Sequence, residues 1–269
     1  MPYLSPVLNV MVQAARKAGR ALIRDFGELE NLQVSLKGPA DFVSTADERT
    51  ERILIEELSR ARPGYSFLGE ESGTREGPDK SHRFIIDPID GTTNFLHGIP
   101  IFAISIALER ESQLVSAVVY NPVVDEMYVA EKGHGSYLNE KRMRVAARKN
   151  MKEALFATGA PFLGRPGHEQ FLAELKAVLA LSPGIRRCGA ASLDLAGVAV
   201  GRYDGFWERG LNPWDVAAGI LLVREAGGVV TDLGGGQNAM EAGQVLAANE
   251  TLHPQILKIL KDAKVQGES

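Results

Sequence analysis

The chain has 269 residues, 45% of them hydrophobic and 24% charged, with a formal net charge of −4. This is the composition of a soluble globular protein, long enough for one large domain or two joined halves, and its acidity argues against a broad nucleic-acid surface. The one cysteine, Cys188, rules out an intramolecular disulfide and fits a reducing compartment, so a cytoplasmic protein is expected.

Residues 1–20 contain no apolar run before a cleavage site, because Arg16, Lys17 and Arg20 interrupt them. No apolar run anywhere approaches the roughly 18 residues of a membrane span, so neither a secretory signal nor a membrane helix is expected. Residues 6–26 place Val7, Met11, Ala14, Ala15, Ala18 and Leu22 at helical spacing, with Gly27 as the stop. Residues 45–60 repeat the pattern through Ala46, Ile53, Leu54 and Leu58, and Pro63-Gly64 ends it. Arg83-Phe84-Ile85-Ile86-Asp87 reads as a short buried strand ending in a carboxylate. Residues 101–108 and 113–120 are β-rich and flank a hairpin candidate at 109–112. Residues 126–131 and 136–138 extend the pattern through the glycine-rich turn at 133–135. The first half is thus helices followed by an antiparallel-type sheet.

The second half alternates differently. Strand signals at 156–159, 185–188 and 205–208 are interleaved with helix signals at 168–180, 191–200 and 215–226. A last helix is expected at 253–263, with Pro254 at its start. This alternation points to helices layered over a mixed sheet. A short charged junction near 147–152 divides the chain into halves 1–148 and 149–269 that share one interface.

The nucleophile and nucleotide motifs Gly-x-Ser-x-Gly, P-loop and Gly-x-Gly-x-x-Gly are absent, and the five histidines lack metal-ligand spacing. The chemistry is carried by acids instead. Glu70 and Glu71 sit in a glycine-flanked loop, Asp87 and Asp90 bracket Pro88-Ile89 after an apolar strand, and Asp215 lies near a helix start. Asp87 and Asp90 offer hard oxygen ligands suited to Mg²⁺, to which Ile89 adds a backbone carbonyl. Gly91 permits close approach of a ligand, and the Gly91 and Thr92 amides can cradle a phosphate if a helix starts there. The plainer reading makes Asp90 and Asp215 helix N-caps and Glu70 and Glu71 solvated loop charges. Two acids at the end of a buried strand are harder to explain that way, since unpaired buried charge is costly.

Four segments together resemble the inositol monophosphatase family: residues 41–47, Gly69-Glu70-Glu71-Ser72, Asp87-Pro88-Ile89-Asp90-Gly91-Thr92-Thr93-Asn94-Phe95, and Trp214-Asp215-Val216-Ala217-Ala218-Gly219. Their order and spacing agree along nearly the whole chain. The resemblance implies an α+β layered fold, the αβαβα sandwich shared by inositol monophosphatases and fructose-1,6-bisphosphatases, usually a homodimer. It implies Mg²⁺-dependent, Li⁺-sensitive hydrolysis of small phosphorylated polyols with two to three ions per site. Glu70, Asp87 and the Ile89 carbonyl would hold the first ion and Asp87, Asp90 and Asp215 the second, with a weaker third near Glu70. Thr92, supported by Asp47, would orient the attacking water, and Gly91 and Thr92 would bind phosphate.

On the alcohol side, the resemblance assigns Glu208 to the polyol hydroxyls and Gly189, Ala190 and Ala191 to the lining. Ala190 stands where many relatives carry Ser or Thr, and Asn139-Glu140 replaces the more usual Asn-Gly turn. Fructose-1,6-bisphosphatase, histidinol-phosphatase and nucleotide 3′-phosphatase activities are alternatives on the same fold, but the compact 208–215 segment favours a polyol. A regulatory protein that binds transcription machinery is the alternative of a different class.

Overall fold

A computed structural model describes residues 5–29, 34–38 and 41–263; the remaining residues, including 1–4, lie outside the described set. Helix α1 (Pro6–Phe26) begins with Pro6 behind Ser5, whose hydroxyl caps Leu8 N–H, and buries Leu8, Met11, Ala15, Ala18 and Leu22 along one face. A two-stranded ribbon of β1 (Val34–Gly38) and β2 (Asp41–Ser44) leads into α2 (Thr45–Ala61). Ser44 and Asp47 form a reciprocal capping box at the start of α2. Both helices pack on one face of an eight-stranded sheet, where Phe84, Ile86, Ile104, Ile106 and Val118 meet Leu54 and Leu58 in a common core.

That sheet runs β10 (Lys141–Arg142), β9 (Gly135–Leu138), β8 (Glu126–Glu131), β7 (Gln113–Asn121), β6 (Ala103–Arg110), β5 (His82–Asp90), β3 (Ser66–Gly69), β4 (Gly73–Arg75). Every pairing is antiparallel except β3 with β5. Its other face packs on a layer made by α5 (Ala191–Ala199) and α6 (Pro213–Glu225). Beyond it lies a five-stranded mixed sheet in the order β12 (Gly184–Arg186), β11 (Leu155–Thr158), β13 (Gly205–Arg209), β15 (Gln244–Ala248), β14 (Val229–Thr231). The outermost layer holds α4 (His168–Leu179) and α8 (Leu252–Asp262); α3 (Thr92–Leu96), α7 (Ala239–Ala242) and a 3-10 turn at Met151–Glu153 are short. The order helix, sheet, helix, sheet, helix is the expected αβαβα sandwich.

The middle layer explains the composition of its helices. Helices α5 and α6 are covered on both sides by sheets, so Ala196, Val198, Ala217, Ala218, Leu221 and Leu222 are all buried and no polar face is needed. Several boundaries differ from the sequence reading. Helix α6 begins at Pro213 rather than Asp215, because Asn212 is the N-cap and Asp215 sits three residues inside as its capping-box partner. Asp215 is therefore not an N-cap. Helix α8 begins at Leu252, two residues before Pro254, since proline is tolerated anywhere in a first turn where N–H groups have no helical partner. Strands β3, β4, β14 and β15 were not expected from the sequence.

Candidate active site

The site starts from an irregularity in β5. Asp87 pairs with Ser105 and Asp90 with Ala103, so three steps on β5 oppose two on β6. Pro88 has no N–H to give to the ladder, and a bulge forms there. In a regular strand, positions three apart point to opposite faces; the extra residue turns both carboxylates the same way. Asp87 Oδ1 accepts the Ile89 N–H at 3.0 Å, which fixes the turn. Gly91 follows with φ of +95°, and a Cβ there would stand 2.9 Å from the Ile101 carbonyl oxygen. Only glycine fits, and it is the N-cap residue from which α3 starts at Thr92. Asp90 is thus not the cap of α3.

Asp90 caps a different helix. The Ser192 N–H donates to its Oδ2 at 2.7 Å, the Ser192 hydroxyl to the same oxygen at 2.5 Å, and the Ala191 N–H to Oδ1 at 3.2 Å. Ala190, the N-cap position of α5, has no side-chain acceptor, and Asp90 supplies one from a strand about a hundred residues earlier. This contact joins the end of β5 to the segment containing Gly189, Ala190 and Ala191.

Thr92 and Asp47 form the next pair. The Thr92 hydroxyl lies 3.2 Å from Asp47 Oδ1 and 3.0 Å from the Ile89 carbonyl oxygen. One proton faces two acceptors, so the hydroxyl is fixed in direction while its lone pairs remain available. Asp47 Oδ2 in turn accepts the Ser44 N–H at 2.8 Å and the Ser44 hydroxyl at 2.7 Å. Burial raises the Asp47 pKa to about 6 despite these hydrogen bonds, with the Glu70 charge pushing the same way.

A cavity of about 720 Å³ opens over these residues. Glu70, Asp90, Gly91, Thr92 and Asp215 line it, as do Gly189, Ala191 and Glu208. Asp47, Asp87, Ile89 and Ala190 do not line the cavity. Asp47 stands behind Thr92, Asp87 and Ile89 are buried in the bulge, and Ala190 is buried beside Gly91.

The electrostatics are those of acids forced together. Burial, then the charges of Glu70, Asp90 and Asp215, hold the Asp87 carboxyl well above the usual carboxylate range. Burial and the Asp90 charge do the same to Asp215. Asp90 is raised to about 6 by burial, against the lowering effect of its Ser192 bonds. Glu208 is raised to about 8 by burial and the Asp194 and Asp90 charges. No lysine or arginine forms an ion pair with Asp87, Asp90 or Asp215 among the described residues. No group of three or more His, Cys, Asp or Glu side chains among them is already arranged to hold a metal ion. The donor set still fits a hard divalent cation: all its atoms are oxygens, Asp87 and Asp90 are buried, and carboxylates that raise one another's pKa need a cation to ionise together.

The sequence reading missed Glu51, Ser192, Arg165 and Arg187. Glu51 is buried on α2, and its Oε2 and Oε1 accept the Glu71 and Ser72 N–H groups at 3.0 and 2.9 Å, anchoring the loop that carries Glu70. Its signal was present, because Glu51 follows Asp47 by four residues and shares its helical face. Ser192 had none, since its partner lies in the other half of the chain.

Residues 3–264 match the model of the inositol monophosphatase family. The chain belongs to this family. It is 58% identical over 257 residues to the inositol-1-monophosphatase of Mesorhizobium japonicum, covering 96% of this chain and 97% of that one. It is 40% identical to the Nus factor SuhB of Escherichia coli, covering 96% and 97% respectively. The crystal structure of the extragenic suppressor protein suhB from Bartonella henselae superposes with a TM-score of 0.95 at 56% identity, covering 97% of this chain and all of that one. This inositol monophosphatase family member is an enzyme, a phosphatase. Among its described residues no helix is long and apolar enough to cross a membrane.

Proposed function

We propose that this phosphatase hydrolyses myo-inositol monophosphates and related sugar-alcohol phosphates to the free alcohol and phosphate with the help of Mg²⁺. The observation that carries this reading is the bulge that turns Asp87 and Asp90 toward Glu70 and Asp215, beside a Thr92–Asp47 pair and a left-handed Gly91. Glu70, Asp87 and the Ile89 carbonyl would hold one Mg²⁺, Asp87, Asp90 and Asp215 a second, and the Glu70 region a weaker third. Bound there, the ions supply charge neutralisation for the phosphate and lower the pKa of the attacking water.

The remaining work falls to the chain. The Gly91 and Thr92 N–H groups open the first turn of α3 and bind phosphate oxygens. The Thr92 hydroxyl, held by Asp47, orients the water for in-line attack, and Asp47 is placed to take up its proton through that hydroxyl. Positioning and charge stabilisation dominate phosphoryl transfer, so no covalent nucleophile is required. Glu208 accepts hydrogen bonds from alcohol hydroxyls, and Gly189, Ala190 and Ala191 shape the wall. The family resemblance further supports Li⁺ sensitivity, a homodimer and a cytoplasmic setting.

The decisive test is phosphate release by metal-stripped protein re-supplied with Mg²⁺, across inositol monophosphates, glucitol 6-phosphate, histidinol phosphate and adenosine 3′,5′-bisphosphate. Turnover of the polyol phosphates that needs Mg²⁺ and fails in Asp87→Asn supports the reading. Metal-independent turnover, or full activity in Asp87→Asn, sinks it.

The relatives named Nus factor SuhB favour a second role, as a partner of the transcription machinery. Pulldown of RNA polymerase by catalytically dead Asp87→Asn protein tests it, and no capture above background counts against it.

A further inference from the structure

The end of the sandwich opposite the carboxylates carries charge of the other sign. Helices α5 and α6 both start at the site, where Asp90 caps α5 and Asp215 sits in the first turn of α6. Both end against residues 141–152, which run as a strap from the edge strand β10 to the 3-10 turn at Met151–Glu153. The Val145 N–H donates to the Ala226 carbonyl at the end of α6, at 3.2 Å. A Cβ on Gly201, just past α5, would stand 3.1 Å from the Arg144 carbonyl oxygen. The Met143 N–H donates to the Ser136 carbonyl at 2.8 Å, and Asn249 Nδ2 to the Ala146 and Arg148 carbonyls at 2.9 and 2.8 Å, so the strap is pinned along its length. Helix α6 has 13 residues and is about 20 Å long, which sets the separation of the strap from the catalytic end.

The strap holds six cations, Lys141, Arg142, Arg144, Arg148, Lys149 and Lys152, and no acid among its twelve residues. All six are exposed. Only Arg148 has an ion pair among the described residues, with the buried Asp204. Plain structural roles account for part of this set. Charges on an edge strand discourage pairing with another chain, which covers Lys141 and Arg142. Arg148 neutralises Asp204. Cations favour helix C-termini, but Arg224 already stands in the last turn of α6, and one more would serve α5. At least two of Arg144, Lys149 and Lys152 exceed these needs. The net charge of −4 averages over the strap and hides it.

The surroundings decide between anionic partners. A protein interface needs apolar or aromatic anchors, and a membrane surface needs an apolar wedge. Neither is present: Met143 and Met151 are buried, and no large hydrophobic side chain between Val124 and Phe162 is exposed. Single strands are held on aromatic platforms, and the chain has no aromatic residue between Tyr137 and Phe156. Duplex nucleic acid requires none of these, since lysine and arginine contacts to its phosphates suffice for binding without sequence preference.

We propose that residues 141–152 are a docking strip for the phosphate backbone of duplex nucleic acid, bound without regard to sequence. The acidic remainder of the chain repels the same duplex, which confines it to this strip and leaves the catalytic cavity open at the far end. This goes beyond the phosphatase reading and does not depend on it.

The test is fluorescence anisotropy with labelled RNA and DNA duplexes of about 20 base pairs, whose unphosphorylated ends give the catalytic site no monoester. Micromolar binding is expected at about 50 mM salt, weakening about a hundredfold by about 200 mM, as release of counterions from about four phosphates requires. Arg144→Gln with Lys149→Gln should weaken binding to every sequence alike and lower the salt slope by about two. Arg144→Lys with Lys149→Arg keeps both charges and should bind as the wild type does, which separates loss of charge from a folding defect. Lys176→Gln with Lys258→Gln makes the same change of net charge at exposed positions of α4 and α8, and should leave binding in place. No binding at about 50 mM salt, equal weakening in the two glutamine pairs, or tighter binding to the matching single strand or to polyglutamate overturns the proposal. Phosphatase activity enters none of these readouts, so their failure leaves the phosphatase reading standing.

Discussion

Asp90 and Ser192 join the two halves of the chain: one carboxylate oxygen accepts both the backbone N–H and the hydroxyl of Ser192, at 2.7 and 2.5 Å. The same carboxylate is the one assigned to a metal ion, so a single side chain serves the site and the start of α5. Asp90→Asn keeps one acceptor oxygen, enough for the two Ser192 bonds, and gives up only the longer Ala191 bond. Asp90→Ala leaves the Ala191 and Ser192 N–H groups buried without an acceptor, at a cost of about 1–3 kcal/mol. The expected result is that both variants lose activity but only Asp90→Ala unfolds at clearly lower urea. Equal midpoints in metal-free urea titrations would show that the cap contributes nothing.

Gly159 and Glu208 are similarly interlocked. A Cβ on Gly159 would fall 1.8 Å from the Glu208 Cδ and Oε1 atoms, which no structure tolerates. The atoms in the way are the far end of a rotatable side chain, so Gly159→Ala should fold and expel Glu208 from its place. The variant is expected to reproduce the substrate profile of Glu208→Ala, with KM for inositol phosphate raised severalfold. Unchanged KM in Gly159→Ala, with a normal melting temperature, would remove Glu208 from alcohol recognition.

Glu51 offers a test away from the chemistry. It touches neither the cavity nor the phosphate position, yet it holds the Glu71 and Ser72 amides. Glu51→Gln can accept only one of these bonds, since its amide nitrogen is a donor. The loop carrying Glu70 then loosens, and the Mg²⁺ concentration for half-maximal activity should rise several-fold, with smaller change in the activity at saturating Mg²⁺. A proportional loss at every Mg²⁺ concentration would indicate a role other than positioning the loop.

What the sequence made legible follows from how local each signal was. Helix α1 was read within its true bounds because its apolar stripe and glycine stop lie within one stretch of chain. The β6–β7 hairpin was read for the same reason. Strand β15 was missed although it is paired on both sides, by β13 and β14, because Val245-Leu246-Ala247-Ala248 is short, partly alanine and lacks alternation. The acids of the site were legible as a motif. The bulge that aims them was not, since it depends on the register of β5 against β6. Arg165 and Arg187 carried no sequence signal; the loops bring them to one cavity.

Asn139 and Glu140 turn the chain between β9 and β10 with φ values of +42° and +71°. Asn139 is suited to this: its side chain accepts the Met127 N–H and donates to the Asp125 carbonyl. Glu140 is not, because its Cβ crowds the backbone in the left-handed region. Glu140→Gly relieves that strain and gives back part of it as unfolded-chain entropy. A net stabilisation of about 0.5–1 kcal/mol is expected, read from chemical denaturation with activity unchanged. A destabilised variant would mean that the glutamate side chain has a contact worth more than the strain.

Glu208 sets a pH dependence with a definite sign. Its folded pKa of about 8 lies above the 4.5 of the unassisted group, so between those values the folded protein holds a proton that the unfolded chain has released. Stability from this group is therefore fully present below pH 4.5 and is lost as pH rises toward 8. The full shift corresponds to several kcal/mol, and the partial exposure of the side chain reduces the expected effect to about 1–2 kcal/mol. Glu208→Gln mimics the protonated form and cannot titrate. Metal-free wild type should lose more stability than Glu208→Gln between pH 5.5 and 8.5, with the two converging at the acid end. The range is chosen to bracket the folded pKa of about 8. Parallel curves would mean that Glu208 ionises in the fold as easily as in water, with the Arg165 and Arg187 charges cancelling its burial.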